Sequence, residues 1–331
     1  MKNILVPILV LILIVSLFTF VIWQKRSSDS VDDSAEPSGY PDKPITYVVC
    51  FNPGGESDIT ARLQQKLLED IVGVPIVITY KQGGGGAVGW SELMRTKPDG
   101  YTMYGTNLPH IIVQPMTRGD AGYRTEKIRN VYIFGFTPNI LAVGKDSPIK
   151  TVRDFIEYAS KNPGMTIGGS GQPSANSIGA EAFAKAAKLD LTYISFTGSG
   201  AAVPALLGGH VEALMTFTSM GARYSDRMHV LAVAAEKRLK ALPDVPTFLE
   251  LGYDLVEGAH RGVAVPPDTP DVVCRVLENA FEKVSHNPDV IKDMEEMGFI
   301  MEHYDEEQSG KLVRELTQYY RTLLNDIKEA K

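Results

Sequence analysis

With 331 residues, 44% of them apolar and 22% charged, the chain has the make-up of a globular protein and is longer than one hydrophobic core usually serves, so two domains are expected. A net charge of −7 and the lack of any Lys/Arg run exclude nucleic acid as the main partner. Two cysteines, Cys50 and Cys274, are too few for a disulfide framework; whether they pair stays open, and no metal is assigned to them.

The first element in the chain is Ile4 to Trp23, an uncharged and almost wholly apolar stretch with Lys2 before it and Lys25 and Arg26 behind. It is just long enough to span a bilayer. Residues 1–26 therefore read either as an uncleaved signal anchor or as a secretory signal with a poor cleavage site. The polar run from Ser27 to Pro44 has no apolar period, and residues 27–43 read as a flexible tether. Export of this kind places the protein in the periplasm or on the outer face of the cytoplasmic membrane, with the exported part more acidic by three charges.

From Pro44 onward strand and helix alternate. "ITYVVCF" reads as a strand. "SDITARLQQKLLEDIVG" reads as a helix with Ile59, Leu63, Leu67 and Ile71 on one face, ended by Gly73 and Pro75. "PIVIT" is the next strand, then a glycine run, a helix near Ala87–Thr96, and a strand after the Pro98-Asp99-Gly100 turn. This order predicts parallel strands with helices on the sheet faces. A similar order restarts where Thr151 caps "VRDFIEYASKNPG". There follow "MTIGGSG", the helix "NSIGAEAFAKAAK", "LTYISF", a short helix, and the strands "VEALMTF" and "HVLAVAAE". Helices over Val272–Ser285, Pro288–Met297 and Glu306–Lys328 form a tail that most simply completes the first unit.

Four loops share one pattern: each follows a strand, is rich in Gly and Ser/Thr, and precedes a helix. They are Asn52–Asp58, Gln82–Gly89, Gly168–Ser177 and Thr197–Gly200. Ligands of open α/β proteins bind at the carboxyl ends of parallel strands. Helix N-termini there offer unpaired N–H groups to an anion, and glycine lets the backbone come close. Each loop alone also reads as a tight turn with a helix cap. Gly84-x-Gly86-x-x-Gly89 matches the dinucleotide fingerprint literally, but no acidic residue lies about 20 positions on, and the run follows the second strand rather than the first. No phosphate-binding loop, no G-x-S-x-G and no H-E-x-x-H occurs, and His110, His210, His229, His260, His286 and His303 are scattered. No catalytic residue, cofactor or metal is assigned.

Taken together, "YPDKPITYVVCFNPGGESDITAR", "GGGGAVGWSELMRTKPDGYTM", "FTGSGAAVPALLGGHVEAL" and "ALPDVPTFLELGYDL…RGVAVPPDTPDVVCRVLENAFEKVSHNPDV" resemble the extracytoplasmic solute receptors of tripartite tricarboxylate transporters, the Bug-type receptors. The resemblance runs from Tyr40 to about Phe299. It implies a two-lobed type II periplasmic-binding-protein fold of class α/β, each lobe a mostly parallel sheet flanked by helices. Lobe 1 would take residues 44–140 plus 258–331, and lobe 2 residues 141–257. The implied function is capture of a small organic carboxylate by a monomer and its delivery to membrane permease subunits, with no chemistry performed. A ligand-sensing receptor for a membrane signalling partner is the alternative on the same fold.

Carried over position by position, the resemblance gives Asn52, Gly54, Gly55, Ser57 and Asp58 in the first loop, and Gly84 and Gly85 in the second. Ser170, Gly171, Ser174 and Ser177 stand in the third, and Thr197, Gly198, Ser199 and Gly200 in the fourth. Asn107 and Arg261 complete the ligand-binding set. Asp58 reads as a partner for a ligand amine or water, or as a helix-start carboxylate on its own dipole. Arg261 reads as a carboxylate clamp, or as a surface or interlobe ion pair. The family often has an Asn before the second glycine run, a His at the start of the third loop's helix, and Tyr-Lys-Gly-Gly at "FTGSG". Here Tyr80 and Lys81, Ser177, and Thr197–Gly200 stand in those places, so ligand identity is more open than the fold. The stretches Val131–Gly144 and Val256–Val265 are the expected interlobe crossings.

Overall fold

The computed structural model describes residues 39–329. The signal or anchor reading of 1–26, and the tether as far as residue 38, lie outside the described residues. The N-terminal unit, Met1–Tyr40, contributes only its last two residues; Pro41 onward forms one compact unit. Among the described residues no helix is long and apolar enough to cross a membrane.

The first half runs β1 (Ile45–Val49), α1 (Glu56–Val72), β2 (Ile76–Tyr80), a 3-10 turn over Gly84–Gly86, α2 (Ala87–Leu93), β3 (Thr102–Leu108) and α3 (His110–Arg118). A single 16-residue strand, β4 (Arg129–Gly144), follows. The second half holds α4 (Val152–Lys161), β5 (Met165–Ser170), α5 (Ala175–Ala187), β6 (Leu191–Phe196), α6 (Ser199–Leu207), β7 (Ala213–Phe217), α7 (Thr218–Arg223) and β8 (Met228–Val233). The chain returns through β9 (Gly258–Val265) to α8 (Asp271–Ser285), α9 (Pro288–Glu296), β10 (Ile300–Tyr304) and α10 (Glu306–Glu329).

The strands lie in the order β2-β1-β3-β9-β4-β7-β5-β6, with β8 and β10 also on β4. β4 pairs with β9 from Arg129 to Pro138, and with β7 from Asn139 to Val143, so it carries both half-sheets. The expected parallel order holds for β2-β1-β3 and for β6-β5-β7. β9, β7, β8 and β10 run antiparallel to β4, so each half is mixed rather than mostly parallel. The reason is that β4 and β9 cross between the halves in opposite directions. All four glycine-rich loops leave the carboxyl ends of the parallel strands β1, β2, β5 and β6. β1 and β2 run antiparallel to β5 and β6, so the loops of the two halves point toward each other.

Local signals account for the ends. Gly73 stops α1 in the left-handed region, with φ 75°. Thr151 and Asp154 close a capping box on α4. The buried face of α1 is not the expected one. Ile59, Leu63, Leu67 and Ile71 are half-buried, whereas Glu56, Thr60, Gln64 and Leu68 are buried. Ile59 instead packs against the cluster of Ala202, Val203 and Leu206 from α6 in the other half. The tail does complete the first half: Val313 and Tyr320 of α10 join Trp90, Leu93, Ile111 and Ile112 in one core. A second core forms around Phe155, Phe183, Met215 and Phe248. Cys50 and Cys274 are buried free thiols.

Glu257, just before β9, is 4% exposed, and its Oε1 accepts from Tyr320 Oη at 2.9 Å and from the Gly258 amide at 3.1 Å. Burial pushes its carboxyl up to about 8 against these two hydrogen bonds. A carboxyl raised on folding stabilises the fold in its protonated form. That contribution is full below the ordinary carboxylate range and is lost as pH rises through about 8. Thermal melts are expected to fall between pH 5 and pH 8.5 by the equivalent of roughly 2–4 kcal/mol. Glu257→Gln should flatten that slope; a slope unchanged in the variant contradicts the assignment.

Candidate functional site

The site is built where two helix starts meet. Gly54 turns the first loop with φ +73°. Its amide donates to Asp58 Oδ2 at 2.8 Å. Asp58 Oδ1 accepts from Tyr80 Oη at 2.8 Å and pairs with Arg62 Nε at 2.8 Å. The Asp58 carboxylate is thus spent on its own helix, its loop and Tyr80 at the end of β2, and the Gly54 amide is spent on Asp58, so neither points a free group at a ligand. Opposite, Gly198 precedes α6 in extended conformation, φ 164°. A Cβ placed on Gly55 would lie 3.3 Å from Gly200 N, and one on Gly200 would lie 3.0 Å from Gly55 N and 2.8 Å from Pro53 O. One on Gly198 would collide with Asn52 Oδ1. The starts of α1 and α6, one from each half of the chain, therefore meet backbone to backbone. Among the described residues no backbone acceptor outside the helices takes the amides of Glu56, Ser57, Ser199 or Gly200.

The floor is ionic. Arg261 on β9 sits opposite Asn107 on β3. Its Nη2 lies 2.7 Å from Glu56 Oε2, with the two side chains 3% and 2% exposed. The two groups form a close, buried ion pair. Arg261 Nε donates to Thr137 Oγ1 at 3.2 Å and Nη1 to Ser57 Oγ at 3.4 Å. The guanidinium stands 4.4 Å from the Phe217 ring centroid. With its oxygen toward the guanidinium, Asn107 accepts from Arg261 Nη1 and donates to Thr106 O at 3.0 Å; the opposite orientation would face donor with donor. Burial pushes the Glu56 carboxyl up, and Arg261, Thr137 and Thr60 pull it back. Burial pulls Arg261 down, and the Glu56 charge resists. Arg261 is thus neither a surface nor an interlobe pair: both partners belong to the first half.

His110 opens α3 and is 0% exposed. It stands against Phe51 and Phe217, with ring centroids 5.5 and 6.5 Å away. Neither ring nitrogen has a hydrogen-bond partner. Burial, then the nearby Arg261 charge, depress its imidazole to about 3, so it is neutral.

Phe51, Gly55, Glu56, Ser57, Asn107, His110, Ser170, Ser199, Phe217 and Arg261 enclose a cavity of about 10 Å³ between the halves. That is room for about one water, so the halves are closed on each other. Of the sequence candidates, Gly55, Ser57, Asn107, Ser170, Ser199 and Arg261 line this cavity, and Asn52, Gly198 and Gly200 form the contact above it. Gly85 approaches Gly171 at the rim, where Gln114 Nε2 donates to Pro173 O at 2.7 Å. Gly84, beside it, has φ +56° and faces Ala87 and Arg118.

Ser174 and Ser177 are spent on each other as the capping box of α5. Thr197 is exposed and does not line the cavity. Ser170 donates to Asn176 Oδ1, whose amide nitrogen reaches Asn139 Oδ1 at 2.8 Å, tying the third loop to β4. Glu56, His110, Phe51 and Phe217 escaped the sequence reading. Glu56 stands inside the first glycine loop, which was a usable signal; the other three gave none.

Residues 60–328 match the family model described as the tripartite tricarboxylate transporter family receptor. A UPF0065 protein in the gbd 5′ region of Cupriavidus necator is 28% identical over 304 residues, which cover 90% of this chain and 91% of that protein. A solved structure described as a periplasmic transporter superposes with a TM-score of 0.83 at 32% identity, covering 86% of this chain and 97% of that one. MatC from Rhodopseudomonas palustris, solved with bound malate, superposes at 0.80 with 24% identity over 86% and 99% of the two chains. The chain belongs to the tripartite tricarboxylate transporter receptor family, whose members are extracytoplasmic solute-binding proteins and not enzymes.

Proposed function

We propose that this protein captures one small carboxylated solute per chain between its halves and delivers it, as a monomer, to membrane permease subunits. The observation that carries the reading is the meeting of the α1 and α6 starts, with the amides of Glu56, Ser57 and Ser199 unclaimed on either side of one cavity and that of Gly200 unclaimed at the contact beside it. Each helix start contributes about half a positive charge. The pair forms a clamp for an oxyanion in a protein whose net charge of −7 does not attract one. The malate held by MatC supports the carboxylate class. Lobe 1 takes residues 44–140 and 258–331 and lobe 2 residues 141–257, with β4 and β9 as the crossings about which they open.

Titration calorimetry with a series of mono-, di- and tricarboxylates, amino acids and NAD tests this. One carboxylate is expected to bind at 1:1 and NAD not at all. Ser57→Ala and Ser199→Ala keep the main-chain amides and remove only the hydroxyls, so each should weaken binding by no more than about tenfold. Tight NAD binding, or no carboxylate binding, overturns the reading.

A further inference from the structure

We infer that the solute of this receptor carries a single carboxylate and, at its other end, an uncharged hydrogen-bonding group that is read by His110. The inference rests on the carboxylate-receptor reading above and deepens it.

The charge count comes first. The ionised side chains lining the cavity are Glu56 and Arg261, and they neutralise each other at 2.7 Å. Of the guanidinium's other nitrogens, Nε is taken by Thr137 and Nη1 by Ser57 and Asn107, while Nη2 faces Glu56. What is left is the pair of helix starts, together about one positive charge. That balances one carboxylate. A second carboxylate would be buried with no uncompensated cation beside it, and an unpaired buried charge is strongly disfavoured.

His110 supplies the second half of the argument. It is 0% exposed, lines the cavity, and has no partner on either nitrogen. Buried polar groups are normally paired, and an exception of this kind at a cavity wall points to a ligand atom. A neutral imidazole offers one donor and one acceptor. A hydroxyl or a primary amide meets whichever tautomer faces it, accepting from the N–H or donating to the bare nitrogen; a carboxylate meets the N–H tautomer alone. Burial and the Arg261 charge both oppose protonation, so a dianion does not readily recruit a cationic imidazole. Phe51 and Phe217 on either side suit an apolar body between the two polar ends.

The test uses the full-length protein in calorimetry at pH 7 with carboxylates matched in carbon number. At four carbons these are butyrate, 3-hydroxybutyrate, succinate and malate, with corresponding sets at three, five and six. The tightest binder is expected to be a monocarboxylate bearing a hydroxyl or amide, at least about tenfold tighter than the dicarboxylate of equal length. His110→Phe should remove that advantage, bringing the hydroxy acid down to the plain acid. His110→Gln, which keeps a donor and an acceptor in its amide, should retain most of it, and thermal melts check that both variants fold. A dicarboxylate as the tightest binder, or a hydroxy-acid preference unchanged in His110→Phe, overturns this inference and leaves the receptor reading standing. Failure of every carboxylate to bind overturns the receptor reading and this inference with it.

Discussion

Valine at Gly198 or at Gly200 is expected to abolish ligand binding while leaving the protein folded. Gly198 has an extended backbone that any residue adopts, so the effect is not backbone strain. It comes from the other half of the chain. A Cβ at Gly198 runs into Asn52 Oδ1, and one at Gly200 comes within 2.8 Å of Pro53 O and 3.0 Å of Gly55 N. Pro53 O and Gly55 N are backbone atoms and have no rotamer with which to yield. The added side chain therefore wedges the lobes apart, and the two helix starts no longer reach the same oxyanion. A loss of at least about a hundredfold in affinity is expected, close to 2.7 kcal/mol. Melting temperatures of the ligand-free variants should change little, because neither side chain enters a core. Gly55→Val should weaken binding less, since its nearest atoms lie at 3.2 and 3.3 Å. Wild-type affinity in both the Gly198 and Gly200 variants would place the solute elsewhere.

Glu56→Gln is expected to be the most destabilising single change at the site. It leaves the Arg261 guanidinium at 2% exposure without its anion. Removing one partner of a buried pair costs about 3–5 kcal/mol, because the remaining charge stays desolvated. Arg261→Met strands Glu56 in the same way, with only the hydroxyls of Thr137 and Thr60 for partners. The double variant Glu56→Gln/Arg261→Met carries no buried charge and should recover much of the loss. Urea midpoints of the four proteins form a double-mutant cycle. Additive losses would show that the two groups do not act as a pair. The pair also fixes Ser57 and Asn107 through Nη1, so the single variants should lose ligand affinity along with stability.

Much of the frame was legible because it is written in local chemistry. The alternation of apolar runs with capped helices placed nearly every element: Gly73 ends α1, Thr151 opens α4, and the glycine-rich loops follow β1, β2, β5 and β6. The helices α3 and α7 and the strand β10 were not separately marked, since "HIIVQPMTR", "TSMGAR" and "IMEHY" are short and carry no strong cap. The face of α1 was misjudged for a different reason. The i, i+4 rule finds the apolar stripe, but α1 is covered on several sides and turns Glu56, Thr60 and Gln64 inward. Periodicity of hydrophobicity cannot reveal a buried polar face.

The sequence by itself determined the α/β class, the order of its elements, the family, and the four glycine-rich loops, because caps, turns and strand ends depend on residues a few positions apart. Tertiary structure alone decided what those loops do. It set Asp58 on Arg62 and Tyr80, Ser174 on Ser177, and Gly200 against Gly55. It joined Glu56 to Arg261 across 205 residues and turned a possible clamp into a neutral pair. It also enclosed His110, one scattered histidine among six, between two aromatic rings with no partner of its own. Charge compensation and burial are sums over neighbours from distant parts of the chain, and those neighbours exist only once the strands have crossed.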